Sequence, residues 1–153
     1  MPIRKANESD VQDLTNMFAK MYQLNSEFDP ILQVVDDLRA KVEKMVKEAL
    51  SDKNSFIYVY EEEGQIWGAV KIKLVDRVFY VPQIVAQIEE FYVHPSKRRS
   101  TIGKQLIGFA ESDLKKIGIK ILMARFPSKN IIATSFYSKN GFREVHNEYG
   151  KPI

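Results

Sequence analysis

The chain contains no cysteine in its 153 residues. It therefore holds no disulfide framework, thiolate zinc site, iron–sulfur cluster or cysteine nucleophile. Histidine is nearly missing too. With only His94 and His146, no metal site is expected. Long apolar runs are absent: the longest, FIYVY, has five residues, against the ~20 a membrane-spanning helix needs. The opening MPIRKANESD lacks the apolar core of a signal peptide. A reduced, cytoplasmic protein without a membrane segment is the expectation. Hydrophobic residues make up 44% and charged residues 28%, the balance of a soluble globular protein. No repeat, low-complexity tract or linker divides the chain, so residues 1–153 read as one domain.

The net charge of +3 is unevenly spread. Residues 91–110 hold Lys97, Arg98, Arg99 and Lys104 and no acid, leaving nineteen basic against twenty acidic residues elsewhere. One window carries the whole excess, which poses the question of which anion it meets.

Periodicity orders the elements. Residues 2–6 suit an edge strand, and Ser9 with Gln12 fits a capping box. Val11, Leu14, Met17, Phe18 and Met21 follow at helical spacing until the breakers around 25–30. A second helix is expected from Asp36, with acids in its first turn and Leu38, Val42, Met45, Ala49 and Leu50 on one face. Residues 56–60 and 66–74 read as strands joined by a hairpin turn at 61–65. After a loop at 76–82, a third strand covers 84–93 until Pro95 ends it. Helix spacing resumes at Ile102, Leu106, Phe109, Ala110, Leu114 and Ile117 and stops at Gly118. A strand at 119–124, a short helix capped by Asn130 and running through Lys139, and a last strand at 142–145 complete the order β-α-α-β-β-β-α-β-α-β. That order predicts an α/β (α+β) fold: a mixed, mostly antiparallel sheet with helices on both faces.

The stretch EEFYVHPSKRRSTIGKQLIGFAE, residues 89–111, is a strand, a basic loop and the start of a helix. The first N–H groups of a helix lack internal partners, and the macrodipole adds about half a positive charge there. A loop of this kind suits a pyrophosphate, with Gly103 permitting close approach and Arg98 and Arg99 as a clamp. The Walker A spacing fails, because Gly103-Lys104 is followed by Gln105 and the position five before Gly103 is Arg98. The Rossmann fingerprint fails for want of glycines.

With Val93, Pro95, Arg98, Thr101 and Gly103 in register, the segment resembles the acetyl-coenzyme A loop of the GNAT superfamily of N-acetyltransferases. Thr101 departs from the pattern, standing where that family usually has its first glycine. Downstream, Asn130, Ala133, Phe136, Tyr137, Gly141 and Phe142 resemble the family's second signature. The resemblance implies a sheet of six to seven strands and acetyl-CoA as co-substrate. It places the pantetheine arm along the backbone of Phe91, Tyr92 and Val93. The pyrophosphate would rest on Arg98, Arg99, Ser100, Thr101, Ile102, Gly103 and Lys104, and Asn130 is a further cofactor contact or simply the helix cap.

It also implies direct attack by an amine on the thioester. Glu89 and Glu90 lie on the strand beside it, and Glu89 matches the position of the base in the superfamily's polyamine acetyltransferases. Strand alternation would let only one of the pair point into the site. The ordinary alternative is two solvated or ion-paired acids. Tyr137 is the candidate acid for the departing thiolate and cofactor contact, with a core tyrosine as the alternative. His94 reads as structural or solvent-facing and Trp67 as packing, His146 near the C-terminus carries no signal, and the acids at 61–63 read as a solvated turn.

The expected function is acetyl-CoA-dependent transfer to a primary amine, of a small molecule or polyamine or of a protein or peptide. The alternatives are a catalytically silent CoA-binding sensor, which Thr101 would permit, and a nucleic-acid-binding module using the KRR patch. No nucleic-acid partner is expected, since the remaining surface is slightly acidic; a homodimer follows only from the resemblance. Loops around 25–31 and 76–83 are expected to line the acceptor pocket.

Overall fold

The computed structural model describes residues 2–98 and 100–153. Its regular elements are β1 (Ile3–Lys5), α1 (Val11–Asn25), α2 (Leu38–Ser51), β2 (Ser55–Glu62), β3 (Gln65–Asp76), β4 (Ile84–Val93), α3 (Ile102–Lys115), β5 (Leu122–Ala124) and α4 (Ile131–Lys139). They form one sheet in the order β1-β2-β3-β4-β5. All pairings are antiparallel except β4 with β5, which is parallel. Glu63 and Gly64 both take positive φ (55° and 74°), the twisted two-residue turn that suits a tight hairpin between β2 and β3.

Alternation along the strands divides the core in two. Tyr58, Val70, Ile72, Ala86 and Ile88 face Leu106, Ile107 and Ala110 of α3 and Tyr137 of α4. Ile57, Val59, Ala69 and Tyr92 face Leu14 and Phe18 of α1 and Val42 and Val46 of α2. Helices thus cover both faces, as the element order predicted.

Three local expectations are corrected. The sheet has five strands among the described residues, not six or seven, because residues 142–145 pair with nothing. Phe142 and Val145 stand three apart around Arg143 and Glu144, so the segment lacks the period-two apolar face a strand buries. The capping box lies at Asn7 and Asp10, not Ser9 and Gln12. Asn7 accepts from the Ser9 N–H (2.9 Å), and the Asp10 carboxylate accepts from the Asn7 N–H (2.8 Å). Strand β5 starts three residues later than expected, because Gly118 (φ 85°) closes α3 with the Ile119 N–H bonded back to the Leu114 carbonyl (3.1 Å).

Candidate active site

The site is built on an irregularity in β4. Lys71 of β3 stands opposite Glu90, while the next residue, Ile72, stands opposite Ile88, so Glu89 is an extra residue in the ladder. Such a bulge shifts the facing of everything beyond it. Before it, Ala86 and Ile88 point to the α3 face; after it, Phe91 and Val93 do, and Tyr92 points to α1. Glu89 and Glu90 therefore share the α1 face, and the expectation that only one could point into the site fails. Both carboxylates reach a single ammonium: Lys71 Nζ lies 2.6 Å from Glu89 Oε1 and 3.0 Å from Glu90 Oε1.

The two acids are not equivalent. Glu90 is buried, and its second oxygen accepts from the Tyr22 hydroxyl of α1. The Glu89 side chain is 32% exposed and gives one oxygen to Lys71. Burial pushes the Tyr22 phenol well up, and the Glu90 charge and hydrogen bond push it further, so it stays a donor. Burial alone would lower Lys71, but the charges and hydrogen bonds of Glu90 and Glu89 outweigh it, and the ammonium titrates above its usual range.

The bulge also marks where the strands part. The pairing of β5 with β4 ends at Ile88 opposite Ala124, so among the described residues no strand covers that edge of β4 from Glu89 to Val93. There the Phe91 N–H donates to the thioether Sδ of Met21 (3.4 Å), a weak acceptor. Tyr137 flanks this edge from the opposite face. Its ring centroid lies 6.4 Å from that of Phe91 and 4.9 Å from that of Phe126, which it stacks against. Burial alone raises its phenol well above the usual value. The second signature explains that placement. Asn130 caps α4 through the Ala133 N–H (3.0 Å). Gly141 (φ 90°) ends it, and the Phe142 N–H returns to the Tyr137 carbonyl (3.0 Å).

The basic loop leads from β4 into α3. His94 caps a 3₁₀ turn, Pro95–Lys97, by accepting from the Ser96 N–H (3.3 Å). Thr101 immediately precedes α3 with φ −90°. This is ordinary backbone for any L-residue, so the position places no conformational demand for glycine. Ser100 Oγ accepts from the Ile102 N–H (3.3 Å), and Lys104 is exposed in the first turn. Gly103 has a packing reason: a Cβ there would meet the rings of Phe136 and Phe91 at 3.2 Å. Arg98 folds back, its Nε donating to the Val93 carbonyl (3.0 Å) and its guanidinium 5.1 Å from the Tyr92 ring centroid. Lys97 lies 4.8 Å from the Trp67 ring centroid. Arg99 lies outside the described residues.

A groove of about 300 Å³ lined by Asp13, Met17, Lys20, Gln65, Tyr92 and His94 runs beside α1 without reaching Glu89 or Tyr137. Of the two expected acceptor loops, the one after α1 continues the helix that carries Tyr22, and it meets the C-terminal segment where Ile31 Cδ1 would lie 3.1 Å from a Cβ on Gly150. The loop at 77–83 closes the far end of the β3–β4 hairpin, beyond the Asp76–Ile84 pair.

A sequence profile described as "Acetyltransferase (GNAT) family" matches residues 18–142. The chain belongs to the GNAT acetyltransferase family. It is 24% identical over 104 residues to an aminoalkylphosphonate N-acetyltransferase of Salmonella typhimurium, spanning 68% of this chain and 67% of that one. A mutant protein of Bacillus halodurans shares the fold with a TM-score of 0.88 at 17% identity over the whole of both chains. An aminoglycoside 6'-N-acetyltransferase of Acinetobacter haemolyticus superposes with a TM-score of 0.78 at 21% identity, covering 100% of this chain and 99% of that one. A predicted acetyltransferase of Clostridium acetobutylicum, whose structure holds acetyl-CoA, gives 0.78 at 18% identity over 98% and 94% of the two chains.

Two polar residues that the structure brings to Glu89 and Glu90 were not legible in the sequence, Tyr22 and Lys71. Lys71 alternates with Val70 and Ile72 in the middle of a strand whose sheet is covered on both faces, a position that demands a counter-charge. The bulge had a signal too: Ile84, Ala86 and Ile88 keep period two, then Phe91 and Val93 resume it after a step of three.

Proposed function

We propose that the protein transfers an acetyl group from acetyl-CoA directly to a primary amine at the open edge of β4. The observation that carries this reading is the division of labour across that edge. A carboxylate about a third exposed, Glu89, stands on one face and a buried phenol, Tyr137, on the other, with the thinly satisfied Phe91 N–H on the strand that carries Glu89. Acyl transfer to an amine needs a proton acceptor, a proton donor and an oxyanion donor in that relation.

The balance of the reaction assigns each group. An alkyl amine is neutral in only about one part in 2,500 at pH 7, a cost of ~4.6 kcal/mol. Glu89 takes a proton from the ammonium and passes it to solvent, which frees the lone pair that forms the new N–C bond; the nitrogen then gives up a second proton to Glu89, matching the one Tyr137 gives to sulfur. The Phe91 N–H, exchanging the Met21 sulfur for an oxygen, bonds the thioester oxygen as it becomes an oxyanion. The C–S bond then breaks and Tyr137 protonates the thiolate. The pantetheine arm runs along the uncovered edge at Phe91 to Val93, continuing the sheet as an added strand. The pyrophosphate meets the loop from Arg98 through Lys104 and the start of α3, where Thr101 in ordinary backbone offers its N–H as glycine would. The relatives named for an aminoalkylphosphonate and for aminoglycosides support an amine acceptor.

The test is release of CoA thiol from acetyl-CoA over a panel of small amines, polyamines, amino sugars and peptide amines. Amine-dependent release is expected. Saturable acetyl-CoA binding with no release across the panel would turn the reading into that of a silent sensor. In the same assay, Tyr137→Phe is expected to lower turnover roughly 10- to 100-fold without abolishing it, because a thiolate leaves tolerably unprotonated. Unchanged turnover would remove Tyr137 from the mechanism.

A further inference from the structure

The proposed reaction gives Lys71 no proton to move, yet its ammonium is buried at the centre of the site. Its side chain is only 6% exposed, and it stands in β3 across from the apolar Ile57 of β2. Burying an ammonium is costly unless charges and hydrogen bonds compensate. The compensation comes wholly from the bulge, which turns Glu89 and Glu90 to the same side. Two carboxylates forced together repel and share a proton unless a cation stands between them.

We propose, resting on the transfer reaction above, that Lys71 is a positioning residue: its ammonium keeps Glu89 and Glu90 side by side as carboxylates. Glu90, both oxygens engaged by Lys71 and Tyr22, is the fixed counter-charge. Glu89, with one oxygen on Lys71 and a third of its side chain exposed, is left as the base. Other ionisable groups around the pair are few. Tyr22 comes from α1 onto Glu90, and Arg125, beyond β5, acts on Tyr22 through its charge. Asp52, at the end of α2, lies within charge range of Lys71 and Lys73.

Lys71→Met keeps most of the buried stem and removes the charge. The pair then holds a proton into a higher pH range, and the acid limb of the kcat/KM profile moves up by about 1–2 pH units. Lys71→Arg keeps the limb within about half a unit. Adding Glu90→Gln to Lys71→Met removes the like charge and brings the limb back toward wild type. Glu90→Gln alone, which retains the cation beside Glu89, moves it down; this variant tests the proposal even if Lys71→Met does not fold.

A readout independent of turnover separates this proposal from the reaction it rests on. The side-chain carboxyl carbons, followed by 13C NMR in the protein without substrates, titrate at higher pH in Lys71→Met than in wild type. If no amine is acetylated, the transfer reading falls while the carboxyl titration still reports on Lys71. An unmoved carboxyl titration in both Lys71→Met and Glu90→Gln overturns the proposal. So does a rate loss in Lys71→Met that is equal at every pH and not recovered by the added Glu90→Gln.

Discussion

Glu89→Gln is expected to lower kcat/KM for an alkyl amine by about 10²–10⁴ at pH 7, with acetyl-CoA affinity unchanged. The size follows from the proton. An aliphatic amine arrives as ammonium, and glutamine keeps the hydrogen-bonding shape of Glu89 but takes no proton. The loss is expected to shrink for an amine that is already neutral at pH 7, because the base then has less to do. Steady-state kinetics with a strongly and a weakly basic acceptor check both halves. Glu90→Gln provides the contrast, since both of its oxygens are held by Lys71 and Tyr22. A full loss there with little effect at Glu89 would reverse the assignment.

The second large effect is on stability. Arg4 of β1 reaches both oxygens of the buried Asp10 (2.8 and 2.9 Å), and its Nε donates to Glu61 of β2 (2.9 Å). This joins the sheet edge to the start of α1, the helix that carries Met21 and Tyr22. Arg4→Met leaves the Asp10 charge buried and unpaired, at an expected cost of about 2–4 kcal/mol. The melting temperature falls roughly 5–15 °C with it. In the native protein burial pushes the Asp10 carboxyl up, but the Arg4 hydrogen bond, the Asn7 N–H and the Arg4 charge outweigh it and hold it below its ordinary value. A depressed acid stabilises the fold above its unfolded value and loses that stabilisation as pH falls through the folded one. In the variant only the Asn7 N–H still opposes burial, so Asp10 becomes easier to protonate in the folded state. The gap in melting temperature is therefore widest near neutrality and narrows toward pH 3; a gap independent of pH would show that packing, not the ion pair, is lost.

The element order through α4 and the basic loop after β4 were legible because each has a local cause. Gly118 and Gly141 stop helices, Asn130 caps one, and Pro95 ends β4, all through interactions within a few residues. The geometry around Glu89 and Glu90 was less legible because it depends on register between strands. Glu89 and Glu90 are adjacent in sequence, and alternation puts them on opposite faces unless the partner strand skips a residue, which only the pairing with Lys71 and Ile72 reveals. Tyr22 sits 68 positions from the carboxylate it serves, and nothing in the spacing of α1 separates it from an ordinary helix-face tyrosine. Thr101 departs from the family's pattern, yet the backbone there is one that threonine adopts freely.

The central claim is that the edge of β4 from Glu89 to Val93, with the loop into α3, is an acetyl-CoA site. A calorimetric titration with acetyl-CoA tests it most directly. The account predicts saturable binding of one molecule per chain, weakened by Gly103→Val, whose branched side chain would displace the rings of Phe91 and Phe136. Absence of saturable binding to the folded wild-type protein would contradict it.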